Sequence, residues 1–289
     1  MKQAYFKYFL ALLLFGSNGV VASYIKMNSY EIVFFRTLTG SLFLLLLYLF
    51  SKRKGKRTTC RNRKHLFCIL ISGAAMGLSW MLLYEAYHQI GVSIATLAYY
   101  CGPVIVMALS PLLFREKLSK AKLLGFAAVL TGMFLANSAD FLHNGFSVGL
   151  LCGVLAAVMY AVMVVFNKMA SSITGLENAV LQLLVSFLTV AVFTFAKQGI
   201  GFLIQPQNLL PMLFLGIVNT GIGCFLYFSS IQQLSAGTVA VCGYLEPLSA
   251  LIFAGIFLGE KLTVIQFIGA AFLISGAVAS EYFNSRNVV

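Results

Sequence analysis

Ten apolar runs, each long enough to cross a bilayer as a helix, follow one another along this chain with little sequence between them. A crossing helix needs about 20 mostly apolar residues. Segmenting on charges and turn residues places the runs near 5–25, 30–50, 66–88, 92–114, 119–137, 147–168, 177–196, 208–231, 236–258 and 262–282. The loops between them hold no room for a soluble domain, the longest lying near 51–65, 138–146, 169–176 and 197–207. The expected fold class is therefore all-α integral membrane, with ten transmembrane helices. Composition agrees: 60% of residues are hydrophobic and 10% charged, where soluble domains run about 45–50% and about 25%. Mean hydropathy is +0.93. So few charges cannot build a soluble surface, and no nucleic-acid partner is expected despite a net charge of +12.

The basic residues set an orientation. With the N-terminus cytoplasmic, Lys2, Lys7, the run from Lys52 to Lys64, Arg115, Lys117, Lys120, Lys122, Lys168 and Arg286 lie inside, sixteen of the twenty Lys and Arg. Lys26, Lys197 and Lys261 lie outside, and Arg36 falls within the second span. By the positive-inside rule both termini are expected to be cytoplasmic. The Lys52–Lys64 run is then a topology signal rather than a lipid-binding patch. The first apolar run follows Lys2 and Lys7 without a small-residue cleavage site, so it is read as a retained span and not a signal peptide. The six cysteines form no CxxC pair and flank no histidine cluster. They are read as packing residues, with no metal, disulfide framework or cofactor expected.

The chain also repeats itself. Shifting by 144 residues sets Tyr100 on Tyr244, Pro103 on Pro247, Glu116-Lys117-Leu118 on Glu260-Lys261-Leu262, Gly125 on Gly269 and Gly132 on Gly276. One gap further upstream brings Tyr84 onto Tyr227. The expected domains are 1–145 and 146–289, each with five spans. An odd number of spans makes the second copy enter the membrane with opposite polarity. Inverted-topology repeats are a hallmark of secondary transporters, with the substrate at the repeat interface.

With Phe15-Gly16-Ser17-Asn18, Phe35-Arg36, Pro103, Arg115-Glu116-Lys117-Leu118, Tyr244-Leu245-Glu246-Pro247 and Leu258-Gly259-Glu260-Lys261-Leu262 in place, the chain resembles the drug/metabolite transporter superfamily. The resemblance is to its EamA-type branch and covers essentially the whole length. It implies a multi-pass protein of a bacterial plasma (inner) membrane that carries small organic solutes, without naming one. Two departures stand out: Phe15 where such proteins often carry Trp, and Cys101-Gly102 before Pro103 where the second repeat has Leu245-Glu246. Any role of that glutamate is therefore asymmetric.

Charges inside a span cost about 2.5–3.5 kcal/mol on insertion scales and mark functional sites by default. Three qualify: Arg36, Glu85 and Glu246. Glu246 precedes Pro247, which removes a backbone donor and can kink the helix. A carboxyl there would bind a proton or a cationic amine, or hold helices together as a hydrogen-bonded strut. Glu85 lies beside Trp80 and Tyr84, which share a helical face with His88. That face reads either as a cavity wall or as an interfacial belt. Arg36 reads as a counter-ion to Glu85 or Glu246, a clamp for a substrate carboxylate, or a side chain snorkelling to the headgroups. Asn18, Trp80, Tyr84, Tyr100, Asn219 and Tyr227 are the expected substrate-binding residues, and Glu85, Glu246 and Arg36 the proton-coupling or charge site. The polar residues of spans six and seven, among them Tyr160, Asn167, Gln182 and Ser186, read as packing.

These readings converge on a secondary transporter of an amino-acid-like or aromatic, amphiphilic solute, working by alternating access as an exporter, with proton coupling made possible by the two glutamates. The expected partners are that small-molecule substrate and the lipid bilayer, with the chain a monomer or a homodimer. Without a GxxxxGK[ST] loop the chain is no ATP-driven pump by itself. Three scattered histidines argue against a membrane enzyme, and a channel would call for a filter or a charged ring. An importer or facilitated-diffusion carrier of the same fold is the alternative. Replacing Glu246 or Glu85 by Gln is expected to abolish or uncouple transport.

Overall fold

The computed structural model describes residues 2–53, 62–90, 95, 98–115, 120–136, 148–199 and 205–259, with 264–265, 268–269, 271–272 and 274–276 beyond them. Among these residues the chain is helical, with turns and no strand. That is what lipid demands, since backbone polar groups without water must be paired within the segment.

Seven helical stretches are apolar and long enough to cross a membrane: Lys2–Ser23, Ser29–Ser51, Arg63–Ile90, Val148–Met169, Gly175–Lys197, Pro206–Gln233 and Ala236–Phe257. They coincide within a few residues with the expected spans one to three and six to nine. The expected fourth and fifth spans correspond to the shorter helices Cys101–Phe114 and Leu123–Gly132. Most of the tenth, and both Glu-Lys-Leu tripeptides, lie outside the described residues. Large apolar side chains such as Leu46, Phe50, Leu124, Leu188, Val192 and Leu210 are exposed around the bundle. They face outward, as lipid-facing residues do.

In chain order the helices are α1 (Lys2–Gly16), α2 (Asn18–Ser23), α3 (Ser29–Arg53), α4 (Arg63–Ile90), α5 (Cys101–Phe114) and α6 (Lys120–Ala136). They continue with α7 (Val148–Met169), α8 (Gly175–Gln198), α9 (Pro206–Phe214), a π-helical stretch Leu215–Ile222, α10 (Gly223–Ser230), α11 (Ala236–Gly243) and α12 (Leu245–Phe257). Pro206 opens α9 at a position where its missing N–H costs nothing. Ser235 caps α11, its hydroxyl accepting from the Thr238 N–H at 3.1 Å.

Two patterns of packing hold the bundle together. Helix α4 lies along α7 and α8, and α7 also meets α5. Helix α1 lies along α10 and α12, α3 meets α8 and the π-helical stretch, and α11 meets α5. Small residues let the backbones approach: a Cβ added at Gly73 would sit 2.8 Å from the Gln182 carbonyl, and one at Gly77 2.8 Å from that of Ser186. A buried polar network then locks α4, α7 and α8 together. Gln182 Nε2 donates to Ser72 Oγ (2.6 Å), and Ser72 Oγ donates to the Met163 carbonyl (2.6 Å). Asn167 Nδ2 donates to Asn178 Oδ1 at 2.9 Å.

Candidate functional site

Regular helices present side chains in fixed stripes, so a site needs something to break them. Three breaks converge here. Span one is interrupted at Ser17, between α1 and α2, with φ −78° and ψ −7°. The chain between α11 and α12 turns at Tyr244 (φ −71°, ψ −5°), and α5 begins after Tyr100 (φ −73°, ψ 2°). All three residues lie near the sparsely populated bridge between the helical and extended regions. The π-helical stretch Leu215–Ile222 adds a fourth irregularity, of a kind frequent at functional sites. Discontinuous helices at midplane depth are how transporters expose polar groups to a solute.

A cavity lies among these breaks. Its polar lining is Asn18, Arg36, Ser79 and Glu246. Its aromatic walls are Phe15, Trp80, Tyr99, Tyr160, Tyr227 and Phe228, completed by Met76, Met163 and Cys224. The volume is about 60 Å³, and a water occupies roughly 10–15 Å³ on this scale. The cavity thus holds a handful of waters or a small polar group, and a larger solute requires it to open.

The aromatic wall is cross-braced. The hydroxyls of Tyr160 and Tyr227 lie 3.3 Å apart. The rings of Tyr99 and Tyr160 meet edge-on at 5.6 Å, and Tyr227 packs against Tyr8, Phe15 and Phe228 at 5.1–5.8 Å.

Arg36 is 5% exposed, so it does not snorkel. Its guanidinium carbon sits 4.5 Å from the centre of the Trp80 ring, and its Nε has no hydrogen-bond partner among the described residues. Neither Arg36 nor Glu246 has an ion-pair partner among the described residues. Glu31, in the first turn of α3, instead accepts from the Asn28 N–H at 3.2 Å. Glu246 stands in the first turn of α12, where the helix dipole favours a carboxylate.

Of the residues singled out from sequence, Asn18, Arg36, Trp80, Tyr227 and Glu246 are brought together in the cavity. Four are placed elsewhere. Glu85 points to the end of α4 far from the basic run, pairing with Lys197 at 3.4 Å and accepting from Gln89 Nε2 at 2.8 Å. Tyr84 packs into the apolar cluster of Tyr30, Phe34 and Met81, beside Tyr87. Asn219 is fully buried behind the lining. Its Nδ2 donates to the Leu14 carbonyl (2.9 Å), Ser17 Oγ (2.8 Å) and Asn18 Oδ1 (3.0 Å), so it braces the break that carries Asn18.

Tyr100 is buried against Tyr244, whose hydroxyl donates to the Tyr100 carbonyl at 2.6 Å, and its neighbour Tyr99 faces the cavity instead. The turn at Tyr100, where α5 begins, decides which of the two neighbours does so. Tyr160 reads as packing from sequence yet lines the cavity. Its signal would have been the small residues Ala156 and Ala157, one turn earlier on the same face of α7 and fully buried. Met76, Met163, Cys224 and Phe228 carry no sequence signal apart from apolarity.

The EamA-like transporter family matches residues 2–138 and again residues 147–280. The chain is 26% identical over 282 residues to the uncharacterized transporter YxxF of Bacillus subtilis, covering 94% of this chain and 88% of that one. It is 24% identical to the uncharacterized inner membrane transporter YicL of Salmonella typhimurium, over 93% and 92% of the two chains. To protein PecM of Dickeya dadantii it is 25% identical over 74% and 73%. A solved crystal structure superposes with a TM-score of 0.84 over 99% of both chains at 16% identity, which shows a shared fold. With its apolar helices, its lipid-facing surface and its central cavity, the chain is a multi-pass membrane protein and belongs to the EamA-like transporter family.

Proposed function

We propose that this transporter moves a small organic metabolite or drug across the bacterial plasma membrane by alternating access, as a proton-coupled exporter built from two five-span repeats of opposite polarity. The observation that carries the reading is the pair of ionisable side chains, Arg36 and Glu246, both within apolar spans and both on one internal cavity. Such groups are costly in a membrane unless they serve a solute or an ion.

The repeat is supported by several features. The family match occurs twice along the chain. The packing of α1 on α10 and α12 has its counterpart in that of α7 on α4 and α5. Tyr100 and Tyr244, 144 positions apart, touch each other, as mates beside a two-fold axis would. One chain holds the entire cavity, so a monomer suffices. Proton coupling rests on Glu246, since Glu85 is paired away from the cavity.

The test is metabolite profiling of the medium from cells over-producing the native chain or Glu246→Gln, with membrane insertion checked for both. A compound that accumulates outside only with the native chain is the expected result. Accumulation that is equal in the two, with unchanged pH dependence, removes Glu246 from coupling. The absence of any exported compound, followed by uptake in liposomes, would make the chain an importer.

A further inference from the structure

Two helices end together just beyond the cavity, and each is capped by the other. Lys168, at the end of α7, donates from Nζ to the carbonyl of Ile231 at 3.1 Å and to that of Leu234, both in the link from α10 to α11. Gln232, in that link, donates back from Nε2 to the carbonyls of Asn167, Ala170 and Ile173 at 3.0–3.3 Å. The last carbonyls of a helix have no partner within it, so these crossed bonds serve both ends at once. Lys168 also reaches the first half of the chain, its Nζ standing 5.6 Å from the centre of the Phe114 ring on α5. One clasp thus ties α5, α7 and the α10–α11 link together.

The clasp lies on a way out of the cavity. Met163, Tyr227 and Phe228 line that cavity. Lys168 follows five residues after Met163, about 7.5 Å along the helix, and Gln232 four residues after Phe228. Both stand at the end of the bundle that carries Lys2 and Arg63, the end read as cytoplasmic.

Capping alone does not account for it, because the opposite end does without. The repeat sets span one, Lys2–Ser23, on span six, Val148–Met169, and so Ala22 on Lys168. The gap that brings Tyr84 onto Tyr227 sets Gln89 on Gln232. Alanine has no side chain to donate with, and the Gln89 amide donates to Glu85 on its own helix at 2.8 Å. Halves of opposite polarity close the two ends in turn, and here one end has a clasp that its mate lacks. Its acceptors are backbone carbonyls, which water satisfies once an end opens, so the clasp can release at modest net cost.

Resting on the transport reading above, we infer that Lys168 and Gln232 are the latch of the gate at this end, holding it shut in preference to the opposite one. Lys168 is a positioning residue. It touches no solute and sets which side of the membrane the cavity serves.

The probe is Cys224, which lines the cavity, kept as the sole cysteine by replacing the other five with serine. Membrane vesicles of both orientations are treated with a small, charged, membrane-impermeant methanethiosulfonate. The face that carries an N-terminal tag is identified by protease. Labelling of the parent from that face is expected to be slow. Lys168→Met is expected to speed it about tenfold or more, since a bond from a charged donor outweighs a neutral one, and to slow labelling from the opposite face. Gln232→Leu shifts both rates the same way by less, and Lys168→Arg, which keeps a charged donor, stays near the parent. Thermal midpoints are compared, and Gln232→Leu keeps the test decisive if Lys168→Met does not fold.

The inference falls if Lys168→Met or Gln232→Leu leaves both rates unchanged, or if Lys168→Arg labels as fast as Lys168→Met. It falls equally if labelling quickens from both faces, as a merely loosened bundle would give. Metabolite export separates it from the transport reading. A change of sidedness with no compound moved overturns transport alone. Export by the native chain with unaltered sidedness in Lys168→Met overturns the latch alone.

Discussion

The seam where α4 meets α7 and α8 and the seam where α1 and α2 meet the π-helical stretch and α10 are built differently. The first is regular. Helices α4, α7 and α8 run unbroken, Gly73 and Gly77 bring backbones into contact, and Ser79 Oγ donates to the Ala156 carbonyl at 2.8 Å. The second is irregular, with the break at Ser17, the π-helical stretch and Asn219 bracing both. Both seams reach the cavity, the first through Ser79, Trp80 and Tyr160 and the second through Phe15, Asn18 and Tyr227. The charges belong to neither, Arg36 standing on α3 and Glu246 on α12. One seam is packed as a strut, and the other carries the breaks.

The strut can be broken at its tightest point. Gly77→Leu would drive a side chain into the Ser186 carbonyl, and overpacking of this kind costs about 3 kcal/mol. A large fall in the thermal midpoint in detergent is expected. A native midpoint would mean that the α4–α8 contact yields easily and is no strut. Next in size is Gln182→Leu, which removes one hydrogen bond each from Ser72 and Asn167 and is expected to cost about 1–2 kcal/mol. Its decisive feature is that flux should survive, because the network lies outside the cavity. Loss of flux with the fold intact would join the two seams into one functional unit.

The smallest effect belongs to the ion pair at the end of α4. Lys197 is 51% exposed, and exposed pairs contribute about 0–1 kcal/mol. Glu85→Gln and Lys197→Gln should leave both thermal midpoint and flux near native. The sequence alone predicts that Glu85→Gln disables transport, so a dead Glu85→Gln protein would restore that glutamate to the mechanism and redraw the cavity.

What could be read in advance follows one rule. Hydrophobic run length reports spans directly, because the bilayer imposes a minimum apolar length on every crossing helix, and seven described stretches lie where the runs placed them. In-span charge flagged Arg36 and Glu246 for the same reason. Side-chain stripes were less reliable. The turn at Tyr100 sets Tyr99 rather than Tyr100 on the cavity, and the Trp80 face extended to Tyr84 follows a helix already leaving it.

The sequence by itself determined an all-helical membrane protein, seven of its spans and its family, since each depends on composition, length or matching positions along the chain. Only the tertiary structure decided which of three intramembrane charges share a cavity, that Arg36 has Trp80 on its face, and that Asn219 braces Asn18 rather than facing the solute. Those outcomes depend on where helices break and which face each then presents. A break is a compromise between backbone hydrogen bonding and the neighbours packed against it, and those neighbours come from the far half of the chain.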